Sequence, residues 1–240
     1  MTEEAMLWPI QIGADIGQVH DPSAVCVSEA VSRPTGRYRY REPKLGYFNK
    51  QGEYVANDYG ADEIYKTQWY IRFIQRLPLG LGYPEQAIYL ANLLCSPNFK
   101  GRRLQFRMDI TGVGRPVFQM LQEEIVNERH IQPSEYMQLL PITLVNGDAY
   151  NTKTGSLGKG YMVSTLQAIL QTGRLHGPDT REMRATLDEM KVFERTMSKK
   201  GNDLFGAERG MHDDLVIAAG LSCLHDPHKE KIGYSKKRVY

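Results

Sequence analysis

The sequence predicts an α/β domain with a central mixed β-sheet flanked by helices, and three observations carry that prediction. Apolar and polar residues alternate with the two-residue period of a strand at Ile10, Ile12 and Ile16, and again at Leu104, Phe106 and Met108. Helical spacing appears instead at Val113, Val117, Met120 and Leu121, and at Met162, Leu166, Ile169 and Leu170. The order of these signals, a strand-rich beginning followed by alternating units, is that of one α/β domain.

Taken in order, the first strand breaks at Gly17, and a second covers residues 23–30 after a turn containing Asp21 and Pro22. Residues 37–56, rich in Tyr and Arg and interrupted by Pro43 and Gly46, read as an extended hairpin. Tyr70, Phe73, Ile74 and Leu77 stand at i, i+3, i+4 and i+7, which predicts a helix over residues 61–77 stopped near Pro78. A shorter helix is expected over 84–94. The strand holding Leu104, Phe106 and Met108 ends in Asp109, and the helix after it tolerates Pro116 in its first turn.

Residues 137–145 form another apolar run, with Pro141 arguing for an edge position or a bulge. The polar, glycine-rich stretch 146–160 predicts a long loop or hairpin excursion, and Gly173 closes the next helix. Residues 213–224 are apolar nearly all round, as in a buried helix, and a charged tail follows Pro227. The expected organisation is a single domain over residues 1–226 with a tail over 227–240.

Composition excludes several classes. The 240 residues are 41% hydrophobic and 24% charged, ordinary for a soluble globular protein. A net charge of +2 gives no global field for nucleic acid, so any such contact must come from local basic patches. Cys26, Cys95 and Cys223 form no CxxC pair and fit a reducing cytoplasm. The first seven residues carry two glutamates and no apolar run, unlike a signal peptide, and no stretch approaches the roughly 18 apolar residues that span a bilayer. No membrane partner is expected.

Acids stand at three special places. Asp15 closes the first strand, Asp109 closes a later one, and His212-Asp213-Asp214 opens the buried helix. Each has a simpler explanation alone: a turn former at Asp15 or Asp109, a helix cap at Asp213 and Asp214. Together they are harder to dismiss. Carboxylates converging on a core repel one another unless a cation neutralises them, and Mg²⁺ or Mn²⁺ suits such a hard oxygen set. A pair of these ions is the standard device for in-line phosphodiester displacement.

At these residues the sequence resembles the nuclease domain of the bacteriophage large terminase subunit, a member of the ribonuclease H-like superfamily. The likeness runs through Gly13-Ala-Asp-Ile-Gly17 with Asp21-Pro-Ser-Ala24, then Asp109-Ile-Thr-Gly-Val-Gly-Arg-Pro-Val117. It continues in Met162-Val-Ser-Thr-Leu-Gln167 with Gly173-Arg-Leu175, then Gly206-Ala-Glu208 and His212-Asp-Asp-Leu-Val216. The resemblance implies a ribonuclease H-like fold and a metal-dependent endonuclease cutting concatemeric double-stranded viral DNA during packaging, in the host cytoplasm. It implies two ions, Mg²⁺ or Mn²⁺, held by Asp15, Asp109, Asp214 and Asp213, with Asp21 helping to hold the second. His212 would stand beside the ligands rather than among them.

A complete large terminase also carries an ATPase domain, for which this chain has no room. Gly155-Ser-Leu-Gly-Lys-Gly160 is not a Walker A motif, so no nucleotide cofactor is expected. The resemblance implies an ATPase domain, a small terminase subunit and a portal as further partners.

Double-stranded DNA would meet local basic patches: Arg37, Arg39, Arg41 and Lys44; Lys100, Arg102 and Arg103; Lys199 and Lys200; Lys236, Lys237 and Arg238. Lys153 and Lys159, in the polar excursion, are expected near the active cleft. Competing readings are a Holliday-junction resolvase or transposase-like nuclease, an actin-like ATPase, and a catalytically silent DNA-binding module. The acidic start of the last helix argues against the ATPase, which needs phosphate-binding glycines there.

Overall fold

A computed structural model describes residues 6–17, 21–40, 47–55, 61–130, 136–197, 203–207 and 212–224. In chain order the elements are β1 (Met6–Leu7), β2 (Ile10–Asp15), β3 (Ala24–Tyr40), β4 (Tyr47–Phe48), β5 (Tyr54–Val55) and β6 (Ala61–Arg76). Then come α1 (Tyr83–Leu94), β7 (Leu104–Asp109), α2 (Gly114–Glu123) with a π-helical turn after it, β8 (Met137–Val145), β9 (Tyr150–Asn151) and β10 (Ser156–Gly158). The chain continues with α3 (Lys159–Gln171), β11 (Leu175–His176), α4 (Arg181–Val192), β12 (Phe193–Met197), β13 (Asp203–Ala207) and α5 (Asp214–Ser222).

The main sheet runs β11-β6-β3-β2-β7-β8-β10-β9, with β1 paired to β3. It is mixed: β2 is antiparallel to β3 but parallel to β7, which is parallel to β8. Strand alternation gives the sheet two covered faces. Ile10, Ile12 and Ala14 of β2 join Leu90 and Leu94 of α1 and Val117 and Leu121 of α2 in one core. On the other face Cys26, Trp69 and Ile71 pack with Leu166, Met183, Leu215 and Ala218 from α3, α4 and α5. Ile142, Leu144 and Leu157 extend that layer against Ile217 and Leu221. The central mixed sheet flanked by helices is the one the sequence predicts.

One element departs from expectation. Residues 61–77 are not a helix but the long strand β6 and its end. The apolar residues near the end of β6 do not keep a two-residue period, because they pack on two cores: Phe73 and Leu77 on one, Ile74 with Trp69 and Ile71 on the other. A strand buried on both faces loses its alternation, and the aromatic and β-branched content of the segment is the better guide.

Pro141 sits in an interior strand, yet its position fits a residue without an N–H. The Ile142 carbonyl accepts from Ile110 on the β7 side, and Thr143 donates to Gly155 on the other. Pro141 therefore faces the same side as Thr143, before the β10 register begins at Ser156–Thr143. The excursion over 146–160 is the β9–β10 hairpin leading into α3. The sequence reading missed α4 and the β12–β13 pair.

The described residues divide into two compact units, one within residues 7–30 and 68–224, and a smaller one made of Met6, 31–40, 47–55 and 61–67. Within the smaller unit Ser32 Oγ meets Thr67 Oγ1 at 2.7 Å, and Thr35 donates to the Ile64 carbonyl at 2.6 Å. Arg37, Tyr38 and Arg39 are exposed there. Arg41, Lys44, Lys199, Lys200, Glu208, Lys236, Lys237 and Arg238 lie outside the described residues, as does the tail over 227–240. Among the described residues no helix is long and apolar enough to cross a membrane.

Candidate metal centre

Strand register brings the first two acids together. Ala14 pairs with Met108 between parallel strands, so Asp15 and Asp109, the next residue on each, close neighbouring strands at the same edge. By alternation both belong to the face that carries Gln11, Gly13 and Arg107.

Gly13 brings in the third acidic segment. A Cβ there would fall 2.2 Å from the Ala218 carbonyl oxygen and 2.5 Å from the Ser222 nitrogen, so α5 rests directly on the backbone of β2. At the far end Ser28 Oγ donates to the Ser222 carbonyl at 2.8 Å, and Ser28 pairs with Gln11. The helix thus runs opposite to β2, and its first turn, with Asp213 and Asp214, arrives at Asp15.

The electrostatics record this convergence. Burial pushes the Asp15 carboxyl well above the ordinary carboxylate range, and the charges of Asp109, Asp213 and Asp214 push it further, while Lys159 opposes them. Asp214, 5% exposed, is also raised by burial, which outweighs its bond to Arg76. Four carboxylates therefore act on one region.

Their individual settings differ. Asp109 Oδ1 accepts from the Thr111 amide at 2.8 Å and the Thr111 hydroxyl at 2.6 Å, so the turn-forming explanation holds for that oxygen. Thr111 Oγ1 in turn accepts from the Leu144 amide at 3.1 Å, tying the turn to β8. Asp213 occupies the N-cap position of α5 but makes no side-chain capping bond, so capping does not explain it. The Val216 amide is taken instead by Glu189 Oε2 of α4 at 3.2 Å. Arg76, at the end of β6, bridges Asp214 Oδ2 at 2.7 Å and Glu189 Oε1. Burial, opposed by Arg76, pushes Glu189 up to about 7.

Other sequence candidates fall in different places. Lys159, at the start of α3, has its Nζ 4.0 Å from Asp213 Oδ2. His212 is exposed, with Nδ1 3.7 Å from Asp214 Oδ1. Asp21 is exposed in the bend before β3, where Gly17 donates to Ser23 Oγ at 3.0 Å. Lys153 is exposed in the turn of the β9–β10 hairpin.

Arg102 and Arg103 precede β7, and the Arg103 carbonyl accepts from Ile10 at the start of β2. They stand at the opposite end of these strands from the acids, roughly 20–23 Å along the strand direction. Arg102 is also committed to Glu29 at 3.0 Å. The structure does not bring these two arginines to the acidic cluster.

Sequence reasoning missed Arg76 and Glu189. Arg76 lies inside the segment whose spacing predicts a helix. Glu189 lies in α4, and the helical spacing of Met183, Leu187 and Met190 is a sequence signal for that helix but not for the role of Glu189.

Among the described residues, no three carboxylate, imidazole or thiolate groups stand close enough to form a finished metal cage. The donor chemistry nevertheless suits a hard divalent cation. Carboxylate oxygens dominate the region, and the mutual repulsion that raises Asp15 is the penalty a dication removes.

No protein-family model and no curated protein matches the chain. Solved structures do. The large terminase nuclease from thermophilic phage G20c aligns at 18% identity with a TM-score of 0.52, covering 89% of this chain and 80% of that one. The same nuclease with bound magnesium gives a TM-score of 0.53 at 18% identity over 90% and 80% of the two chains. Its cobalt-bound form gives 0.52 at 18% identity, with the same coverage. The chain therefore has the ribonuclease H-like fold of these nuclease domains.

Proposed function

We propose that this chain is a divalent-metal-dependent endonuclease that cleaves concatemeric double-stranded viral DNA during genome packaging in the host cytoplasm. The observation that carries the reading is the convergence of Asp15, Asp109, Asp213 and Asp214 from two strand ends and one helix start. The magnesium-bound and cobalt-bound forms of the G20c nuclease, alike in fold, support it.

Asp15, Asp109, Asp214 and Asp213 would hold two Mg²⁺ or Mn²⁺ ions, with Asp21 contributing to the second. Bound there, the ions would activate water and stabilise the leaving oxygen of a phosphodiester. The protein's own groups do the rest. Thr111 fixes one oxygen of Asp109, and Arg76 fixes one of Asp214. Lys159, beside Asp213, supplies positive charge where a DNA phosphate would approach, and Lys153 would meet the backbone farther out on the hairpin. An ATPase domain, a small terminase subunit and a portal are the partners this role would require.

The deciding experiment is plasmid cleavage with Mg²⁺, Mn²⁺ or EDTA, beside Asp109→Asn. Metal-dependent nicking and linearisation that the variant lacks is the expected result. A folded protein that binds DNA and cuts it with neither metal would overturn the reading. Preference for branched over linear DNA would move it to a resolvase.

A further inference from the structure

Two residues outside the acidic cluster make contacts whose combined effect is to leave carboxylate oxygens unspent. The first turn of a helix has backbone N–H groups that require acceptors, and an Asp at the N-cap ordinarily supplies one. Here Asp213 holds that position and makes no capping bond, because Glu189 reaches across from α4 to the Val216 amide at 3.2 Å. Arg76 completes the arrangement by donating to Glu189 Oε1 and, through Nε, to Asp214 Oδ2 at 2.7 Å. Glu189 is 7% exposed and Asp214 5%, so both carboxylates are buried, while the Arg76 side chain that joins them stays 31% exposed.

We propose that Arg76 and Glu189 are positioning residues for the metal centre. Glu189 takes over the capping of α5, which frees Asp213, and Arg76 clamps Asp214 Oδ2, so that Oδ1, 3.7 Å from His212 Nδ1, is the oxygen left for a cation. The inference rests on the metal-centre reading above and deepens it, joining the hold of Arg76 on Asp214 to Glu189, a residue that reading does not use. Arg76 acts on the metal centre through the two carboxylates it grips, Asp214 directly and Glu189 at the cap of α5. It carries a positive charge beside a cation site, where by charge alone it would weaken binding. Its presence there makes sense as geometry: a planar guanidinium fork can grip two carboxylates at once and fix both.

The test is Mn²⁺ binding to the whole chain followed by calorimetry, with thermal melting as a check on folding. Wild type should bind, and Arg76→Met should bind about tenfold more weakly, the usual cost of losing a residue that orients a ligand. Removing a positive charge would by itself tighten binding, so the sign separates positioning from a charge effect. Arg76→Lys, which keeps the charge and one bond, should recover part of the loss. In an Asp214→Ala background Arg76→Met should weaken binding much less, because only its hold on Glu189 is left to lose.

Arg76→Met binding as tightly as wild type, or more tightly, would overturn the proposal. If Arg76→Met does not fold, Glu189→Gln decides. It keeps an acceptor for the Val216 amide but drops the charge that steadies the guanidinium, and should weaken Mn²⁺ binding to a smaller degree. Unchanged affinity in that variant would refute the positioning role. Wild type that binds no Mn²⁺ would instead remove the metal-centre reading itself, so the two failures are distinguishable.

Discussion

Gly13 and Ala218 meet backbone to backbone, with 2.2 Å between the Ala218 carbonyl oxygen and the place a Cβ on Gly13 would occupy. That approach lets α5 lie on β2 closely enough for Asp213 and Asp214 to act on Asp15. Gly13→Ala must push the helix outward, because the obstacles are the Ala218 carbonyl and the Ser222 amide rather than yielding side-chain ends. The expected cost is about 1–3 kcal/mol in urea denaturation. Divalent-metal affinity should fall in the same variant, since the acids ride on the displaced helix. A fully stable variant with normal affinity would show that the helix does not need this close approach.

The raised carboxyls give the metal-free protein an unusual pH dependence. Asp15, Asp214 and Glu189 are all held above their ordinary values, so over this range the folded chain binds more protons than the unfolded one. Stability from such groups is complete below their unfolded pKa values and is lost as pH rises through the folded ones. For Glu189 the window lies between 4.5 and about 7. Metal-free melting temperature should therefore rise as pH falls through that interval. Asp15→Asn should raise it at neutral pH and reduce the pH slope. Saturating Mn²⁺ should reverse the slope, because metal and protons compete for the same oxygens. A melting temperature that falls with acidification in the metal-free protein would contradict the raised values.

Much of this arrangement was legible in the sequence, for identifiable reasons. Asp15 and Asp109 each follow a strand with clear alternation, and their side-by-side placement follows from two parallel strands in register. Residues 214–222 were recognisable as buried because almost every position is apolar. Arg76 and Glu189 were not legible as partners of Asp214. Their meeting depends on β6 and α4 being brought together across the sheet, and neither helical spacing nor local charge encodes that pairing. The doubly covered strand β6 misled for the same reason: its burial pattern reports two cores rather than one face.

Thr111 joins Asp109 to β8 through its hydroxyl, which donates to Asp109 Oδ1 and accepts from the Leu144 amide. Thr111→Val keeps the shape and removes both bonds. It should cost about 1–2 kcal/mol, the range for an amide left without its partner. Cleavage should fall further than this loss of stability explains, because Asp109 keeps only the Thr111 amide to hold that oxygen. Thr111→Ser should restore both stability and activity. Equal cleavage by the Val and wild-type proteins would show that Asp109 does not need the hydroxyl.

Lys153 and Lys159 belong to the same excursion in sequence but not to the same surroundings. Lys159 stands 4.0 Å from Asp213 Oδ2 and lowers the Asp15 carboxyl, whereas Lys153 is exposed in the hairpin turn. Charge reversal should therefore separate them. Lys153→Glu should weaken DNA binding across sequences and lower the salt-dependence slope by about 0.9 for each phosphate the protein no longer neutralises, with single-turnover cleavage of bound DNA little changed. Lys159→Glu should reduce the cleavage step itself, by adding another anion to a region where carboxylates already repel one another. It should also raise metal affinity, because that anion favours a cation. Salt-dependent DNA binding, Mn²⁺ titration and single-turnover cleavage, measured on the same two variants, distinguish these effects. If both variants bind and cut as wild type does, the hairpin and the start of α3 are not on the DNA path.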